Sequence, residues 1–212
     1  MHIITISRQF GSGGRELGKR LSDVTGYDYY DKEIIAALAK EEGLHPEHVQ
    51  RILSTHGWSS YPLTYRSQFR GSISQSSWQQ TNLLVKQRNI IEEIAKAGND
   101  CIIVGRDADL ILADYAPFRI CICADFSARL ERCMLFEQKR PLEEQLTRKQ
   151  VANNIRRIDK GRRSTREILT GKLYSDESLF DLTINTTKWN MKELAEAVAL
   201  FADRWFKQEK NS

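Results

Sequence analysis

Short, continuous apolar runs alternate along this chain with longer stretches in which apolar residues recur every three or four positions. Runs of five to seven residues that are rich in Ile, Val and Cys are typical of parallel strands covered on both faces. Four such runs are present, at residues 3–7, 101–105, 118–124 and 180–185. A weaker fifth strand is predicted at residues 27–30, which follow a break at Thr25-Gly26.

The stretches between these runs have the periodicity of helices with one apolar face. They cover residues 15–24, 32–42, 83–97, 127–137 and 191–206. Strands that alternate with helices predict right-handed βαβ units and a mostly parallel sheet, so the fold class is α/β. The apolar stripe of the last helix is interpreted as core rather than as a binding surface.

Residues 54–82 break this pattern. They contain no Asp, Glu or Lys, and their only charges are Arg66 and Arg70 among eight serines and five aromatic residues. A compact fold rarely keeps so long an irregular loop without a use for it. We expect a mobile, partly helical insertion over one edge of the sheet, on the side of a bound acceptor, with Arg70 as a candidate contact.

Composition and charge narrow the class of protein. The chain has 212 residues, 41% hydrophobic and 28% charged, with a net charge of +4, which is ordinary for a soluble domain. It has no apolar run of about 18 residues and no recognisable leader, so we expect one domain over residues 1–212, no membrane partner and a cytoplasmic location. The four cysteines lack zinc-site spacing and are expected to be buried thiols.

The glycine-rich turn after the first strand is the most informative stretch. Residues 3–7 lead into RQFGSGG at residues 8–14, which opens an amphipathic helix. Glycines let a backbone approach an anion, and a helix N-terminus attracts one. The candidate phosphate-binding residues are Gly11, Ser12, Gly13, Gly14, Arg15 and Glu16. A tight turn without a ligand is the alternative.

The turn departs from the strict P-loop, G-x-x-x-x-G-K-[ST]. In the register that the strand sets, Arg8 replaces the first glycine and Gly14 replaces the lysine. Glu16 falls where nucleoside monophosphate kinases place the hydroxyl that reaches Mg²⁺, so it is the candidate metal ligand. Arg8, Arg15 or Lys19 could supply the missing cation.

The run ITISRQFGSGGRE at residues 4–16 resembles the opening of the cytidylate kinase-like family, whose members share this variant turn. Further segments resemble the same family in the same order: YYDKE at 29–33, GRD at 105–107, IDKGR at 158–162 and INTT at 184–187. The resemblance implies a three-layer P-loop kinase fold, with a five-stranded parallel sheet flanked by helices and a helical lid. It also implies ATP and Mg²⁺ as cofactors.

The resemblance places Arg106 and Asp107 on the acceptor nucleotide, because a GRD turn contacts CMP in cytidylate kinases. Asp31 is a similar candidate, since it follows the second strand. For Asp31 and Asp107 the alternative is a helix N-cap. Cytidylate kinases usually carry an Asp two residues before the Arg of this turn, and here that position is Val104.

Positive charge is concentrated in residues 148–172, which hold nine basic and two acidic residues. In nucleotide kinases the corresponding region, here residues 141–172, is a lid whose arginines stabilise the transferring phosphoryl group. The catalytic candidates are Arg15, Arg157 and Arg162, with Asp159 orienting the last two and Arg156 or Arg163 as substitutes.

These observations predict ATP-dependent phosphoryl transfer to a nucleoside monophosphate, with CMP or dCMP as the first acceptor to test. One alternative is a nucleotide-binding regulator with the same fold and little turnover, because the P-loop lysine is missing. A second alternative is a nucleic-acid-binding protein that uses the basic helix. Of the partners, we expect a small-molecule nucleotide rather than nucleic acid.

Overall fold

The computed structural model describes residues 1–43, 45, 75–170 and 179–209. Arg70, residues 54–74 of the insertion and Lys172 lie outside the described residues, so the predictions made for them stay predictions. No helix in the described part of the chain is both long enough and apolar enough to span a bilayer.

Five parallel strands form one sheet in the order β2-β3-β1-β4-β5. The predicted strands are confirmed, with ends shifted by one or two residues. They are β1 (Ile3–Arg8), β2 (Asp28–Tyr30), β3 (Cys101–Val104), β4 (Phe118–Cys123) and β5 (Leu182–Asn185). In a parallel sheet the loops that follow the strands meet at one edge, where α/β proteins bind ligands.

Seven α-helices are found among the described residues: α1 (Gly14–Thr25), α2 (Lys32–Glu42), α3 (Gln75–Lys96), α4 (Ala108–Ile111), α5 (Phe126–Glu137), α6 (Arg148–Thr170) and α7 (Met191–Glu209). Short 3₁₀ turns lie at Ala113–Tyr115, between α4 and β4, and at Leu142–Glu144, between α5 and α6. The predicted helices are present, but α3 begins eight residues earlier than its apolar periodicity indicated. The single turn α4 is too short to give a periodic signal.

The sheet is covered on both faces, which gives the predicted three layers. On one face Ile4 and Ile6 of β1 pack with α1 and α7, where Leu17 and Leu194 are buried. Side chains that point the other way pack with α3, whose Ile91 is fully buried. The two faces alternate along β1 because successive strand residues point to opposite sides. The stripe of α7 belongs to this core at Leu194 and Val198, as predicted.

Helix α6 is attached to the rest of the domain at two places. Near its start, Val151 and Ile155 pack with Leu130 of α5. Further along, Arg166 is 1% exposed and forms two hydrogen bonds with the buried carboxylate of Asp109 in α4, one of them 2.9 Å long. These contacts hold the helix beside the edge where the strands end.

The buried ion pair makes a prediction about stability. Asp109→Asn leaves the Arg166 guanidinium with only the longer 3.8 Å contact to Asp107, so the free energy of unfolding should fall by about 3 kcal/mol. The measurement is urea denaturation followed by circular dichroism.

The matched control is Asp203→Asn in α7, which removes an exposed partner of Lys207 and should cost under about 1 kcal/mol. Similar losses in the two variants would contradict the assigned importance of the buried pair.

Candidate functional site

The turn between β1 and α1 has the backbone shape of an anion cradle. Gly11 and Gly13 adopt left-handed φ values of 77° and 84°. The first hydrogen bond of α1 runs from the N–H of Leu17 to the carbonyl of Gly13, at 2.9 Å. The N–H groups of residues 13–16 therefore have no acceptor inside the helix, and they form its positive end. Four of the six predicted phosphate-binding residues, 13–16, thus present backbone N–H groups to an anion, and Gly11 lies in the same turn.

Side chains of neighbouring helices lie so close to this turn that a side chain at Gly11 or Gly13 would displace them. A Cβ on Gly11 would lie 2.9 Å from the sulfur of Cys133, and one on Gly13 would lie 2.4 Å from the Cε of Met191. The sixth predicted residue, Ser12, is buried. Its hydroxyl donates to the carbonyl of Gln9 at 2.9 Å, and its own carbonyl accepts from the Thr186 hydroxyl at 2.7 Å. The Ser12 side chain therefore shapes the turn.

One face of α6 binds the backbone at the start of the glycine-rich turn, at residues 8–10. The Asp159 carboxylate accepts a hydrogen bond from the N–H of Phe10 at 2.7 Å and forms an ion pair with Arg129 of α5. Arg129 also donates to the carbonyl of Phe10 at 3.2 Å, and Arg162 donates to the carbonyl of Arg8 at 2.9 Å. Both backbone polar groups of Phe10 are thereby satisfied by one buried ion pair.

This arrangement corrects the role predicted for Asp159. It was expected to orient Arg157 and Arg162, but its ion pair is with Arg129, and it fixes the backbone of the turn. The side chain of Arg157 is exposed on the outer face of α6, whereas Arg162 reaches the turn. The substitutes differ as well: Arg156 stacks 4.6 Å from the ring centroid of Phe126, and Arg163 is exposed.

Three residues that support the site, Arg129, Arg166 and Asp109, were not predicted from the sequence. Asp159, Arg162 and Arg166 are spaced i, i+3 and i+7, which puts them on one face of a helix, and that spacing could have identified Arg166. Asp109 is the second carboxylate of the run RDAD. No comparable signal marks Arg129, because its role depends on where α5 meets α6.

The GRD turn has an unusual backbone. Gly105, Arg106 and Asp107 have successive positive φ values of 79°, 64° and 51°. For residues other than glycine the left-handed region costs on the order of 1 kcal/mol each. Such strain is found where a fold holds side chains for a ligand. In this turn Gln87 of α3 approaches the carbonyl of Arg106 at 3.5 Å.

The two predicted carboxylates do not act as helix caps. Asp31 precedes α2 and Asp107 precedes α4, and neither side chain forms a capping hydrogen bond. Asp31 is 3% exposed and lies between two arginines: one oxygen is 2.6 Å from the Nε of Arg15, and the other is 3.3 Å from Nη2 of Arg8. Through Arg15 this carboxylate joins α1 to the end of β2.

Positive charge exceeds negative charge in this region. Burial lowers the pKa of Arg8 to about 9, and the nearby guanidiniums of Arg162, Arg15 and Arg106 act in the same direction against Asp31. Burial likewise lowers the pKa of Arg106 to about 10. Four guanidiniums thus share a region with two carboxylates, those of Asp31 and of Asp107, which lies near Arg106 and Arg162. Such a region attracts an anion, because a negative group would offset their mutual repulsion.

Glu16 lies in the first turn of α1, where it is exposed and forms an ion pair with Arg20 at 2.9 Å. Within the described ranges, no group of three or more His, Cys, Asp or Glu residues could hold a metal ion. Mg²⁺ at phosphates needs fewer protein ligands than that, commonly one or two carboxylates, with phosphate oxygens and water completing its shell.

Comparison with known proteins identifies the family. The sequence profile of the cytidylate kinase-like family matches residues 3–188, which include the turn, the GRD segment and α6. The chain therefore belongs to the cytidylate kinase-like family. No curated protein matches the chain.

Solved structures agree on the fold. An uncharacterized protein from Eubacterium ventriosum ATCC 27560 superposes with a TM-score of 0.68 at 21% identity, covering 96% of this chain and 99% of its own. Shikimate kinase from Bacteroides thetaiotaomicron superposes with a TM-score of 0.57 at 10% identity, covering 95% and 98%. A sugar kinase from Janibacter sp. HTCC2649 gives 0.50 at 13% identity, covering 96% and 95%. The fold is that of the P-loop kinases, as predicted.

The GRD turn makes a prediction about pH. Burial, followed by the neighbouring carboxylate of Asp109, raises the pKa of Asp107 from 3.8 to about 6. Between these two pH values the folded protein keeps a proton that the unfolded chain has released, so this group's contribution to stability falls as pH rises.

Asp107→Asn removes that contribution, and Asn tolerates left-handed φ values. We expect the variant to gain stability over the wild type by on the order of 1 kcal/mol at pH 7, and by less at pH 4.5. Urea denaturation at both pH values measures this, with exposed Asp114→Asn as the control. An equal gain at the two pH values would contradict the assignment.

Proposed function

We propose that this protein transfers the γ-phosphoryl group of ATP to a nucleoside monophosphate, with CMP or dCMP the first acceptor to test. One observation supports this most strongly: an anion cradle and a guanidinium cluster lie side by side. The 2.6 Å ion pair between Arg15, in the first turn of α1, and Asp31, at the end of β2, joins them directly. Phosphoryl transfer needs two such phosphate-binding regions in contact.

The donor side is the turn at residues 10–16. Its glycines and the N-terminus of α1 suit the phosphates of ATP. Glu16 is the carboxylate that would help to hold Mg²⁺, since it is exposed at the mouth of the turn. When bound there, the ion would neutralise charge on the phosphate oxygens. Asp159 and Arg129 keep the turn in shape before the nucleotide arrives, so little order has to be gained on binding.

The acceptor side is built from Arg106, Asp107 and Asp31. A guanidinium can grip a phosphate through two parallel hydrogen bonds, and Arg106 is held in place by its strained turn. Asp31 and Asp107 supply acceptors for ribose hydroxyls or for the exocyclic amine of cytosine. Arg70, outside the described residues, stays a candidate contact on this side.

Catalysis would come mainly from alignment and from neutralising charge as it spreads over the transferring group. Arg162 is the best-placed residue of the basic region, because it already contacts the turn. Arg157 would have to come in from the outer face of α6 as residues 141–172 close over the site. Closure would exclude water and suppress hydrolysis of ATP.

The direct test is an assay of ADP formation by the purified protein with Mg-ATP and each nucleoside monophosphate in turn. We expect turnover to be fastest with CMP or dCMP. Shikimate and simple sugars belong in the same panel, because kinases with this fold act on such acceptors. ATP binding without ADP formation for any acceptor would favour the alternative that the protein is a nucleotide-binding regulator. Steeply salt-dependent RNA or DNA binding in its place would favour the nucleic-acid alternative.

Two substitutions test the basic helix. Arg162→Ala should lower kcat by about 100-fold, because it removes a cation beside the transferring group. Arg157→Ala should lower kcat by about 10-fold or more if its side chain joins the closed site. Arg204→Gln, an exposed arginine on α7, is the matched control and should leave kcat unchanged. A fall in melting temperature with unchanged kcat would mean that Arg162 only supports the turn.

The GRD turn allows binding to be separated from stability. Arg106→Gly removes the guanidinium that would bind the acceptor phosphate. It also removes the conformational free energy that a left-handed arginine costs. We expect stability to stay level or rise by up to about 1 kcal/mol, while affinity for the acceptor falls by about 100-fold and ATP affinity is kept. Calorimetric titration with CMP and with ATP measures both. Loss of stability together with loss of ATP binding would argue that Arg106 has a structural role.

A further inference from the structure

We infer that Arg8 is the fixed cation of this site and contacts the transferring phosphoryl group in place of the P-loop lysine. This rests on the proposed phosphoryl transfer. Three residues were open candidates on sequence grounds, and only the structure separates them. Lys19 pairs with Asp23 at 3.1 Å on the exposed side of α1. Arg15 is 47% exposed at its side chain, whereas that of Arg8 is 10% exposed.

The side chain of Arg8 occupies the space beside Gly14. A Cβ built on Gly14 would lie 2.9 Å from the Cβ of Arg8, closer than Cβ atoms in proteins approach other atoms, and a tight 3.2 Å from its Cδ. Positions 8 and 14 therefore have room for one side chain between them. A standard P-loop has glycine at the first position and lysine at the second, whereas this chain has arginine and then glycine. The two departures compensate each other.

The guanidinium of Arg8 lies against the GRD turn. A Cβ on Gly105 would lie 1.9 Å from Nη1 of Arg8, so the head group rests against bare backbone at the end of β3. Its other nitrogen is 3.3 Å from Asp31. The Arg8 side chain thus runs from the phosphate turn, past Gly14, to the GRD turn. A cation there lies between the donor and acceptor sides, on the path that the transferred phosphoryl group would follow.

The positive charge of Arg8 is incompletely compensated by its surroundings. The buried side chain of Arg8 has three guanidiniums near it and Asp31 as its carboxylate partner, and the 3.3 Å contact to Asp31 is long for a charged pair. Burying a charge with so little compensation is costly. A phosphoryl oxygen would supply the missing negative charge, and its approach would favour the protonated guanidinium.

The test exchanges the two side chains. Calorimetric titration with Mg-ATP and with inorganic tripolyphosphate compares the wild type with Arg8→Gln, Gly14→Lys and the double variant Arg8→Gly/Gly14→Lys. Arg8→Gln should weaken tripolyphosphate binding by about 10- to 100-fold. Gly14→Lys alone should also bind poorly, because its side chain collides with Arg8. The double variant has the standard arrangement and should bind within about 10-fold of the wild type, a recovery that additive damage could not give.

Chemical rescue provides a second readout. Arg8→Gly leaves a channel between Gly14 and Gly105, so millimolar guanidinium ion, well below denaturing concentrations, should restore part of its tripolyphosphate binding. The same salt should do nothing for Arg15→Ala measured alongside, because the Arg15 side chain is 47% exposed and its removal opens no enclosed channel. Melting temperatures identify any variant that fails to fold.

The outcomes distinguish this inference from the proposed function. A wild type that binds neither Mg-ATP nor tripolyphosphate would overturn the proposed function itself. A wild type that binds both, with Arg8→Gln within twofold of it, would overturn the role of Arg8 alone. A folded double variant no better than Arg8→Gly, together with no guanidinium rescue, would likewise overturn it.

Discussion

The buried carboxylate of Asp31 is the electrostatic centre of this molecule. It lies at the end of β2 and holds Arg15 from α1 and Arg8 from β1, two arginines that would otherwise repel each other beside Arg106 and Arg162. Without it, the four guanidiniums would keep only the Asp107 carboxylate, near Arg106 and Arg162, as compensating charge. With it, they stay together and retain an excess of positive charge. Stability and the capacity to bind an anion therefore depend on the same group.

Helix α6 uses its charges in two different ways. Its inner face carries Asp159, Arg162 and Arg166, which bind the backbone of the phosphate turn and the buried Asp109. Its outer face carries exposed cations such as Arg157 and Lys160. The inner face sets the shape of the site, and the outer face is available to a ligand or to a closing motion. A count of charge along the sequence adds the residues of the inner and outer faces together, although the two sets have different physical roles.

Stability and function oppose each other at the GRD turn. Consecutive left-handed residues and a carboxylate with a raised pKa both cost free energy in the folded protein. The large buried core on both faces of the sheet offsets these costs. Local strain of this kind is expected where side chains must be held ready for a ligand. The same reasoning applies to Arg8, because burying its charge costs free energy that a bound anion would offset.

The α/β class, the five strands and the position of the glycine-rich turn could be predicted from the sequence, because apolar periodicity and glycine spacing are local properties of the chain. The sequence also predicted that Asp31, Arg106 and Asp107 lie at one edge of the sheet, since residues that follow parallel strands meet there. It could not show that Asp159 pairs with Arg129, because that contact joins residues 30 positions apart on two packed helices. Nor could it choose among Arg8, Arg15 and Lys19. The inference in favour of Arg8 depends on the space between Gly14 and Gly105, which exists only once β1, α1 and β3 have packed together.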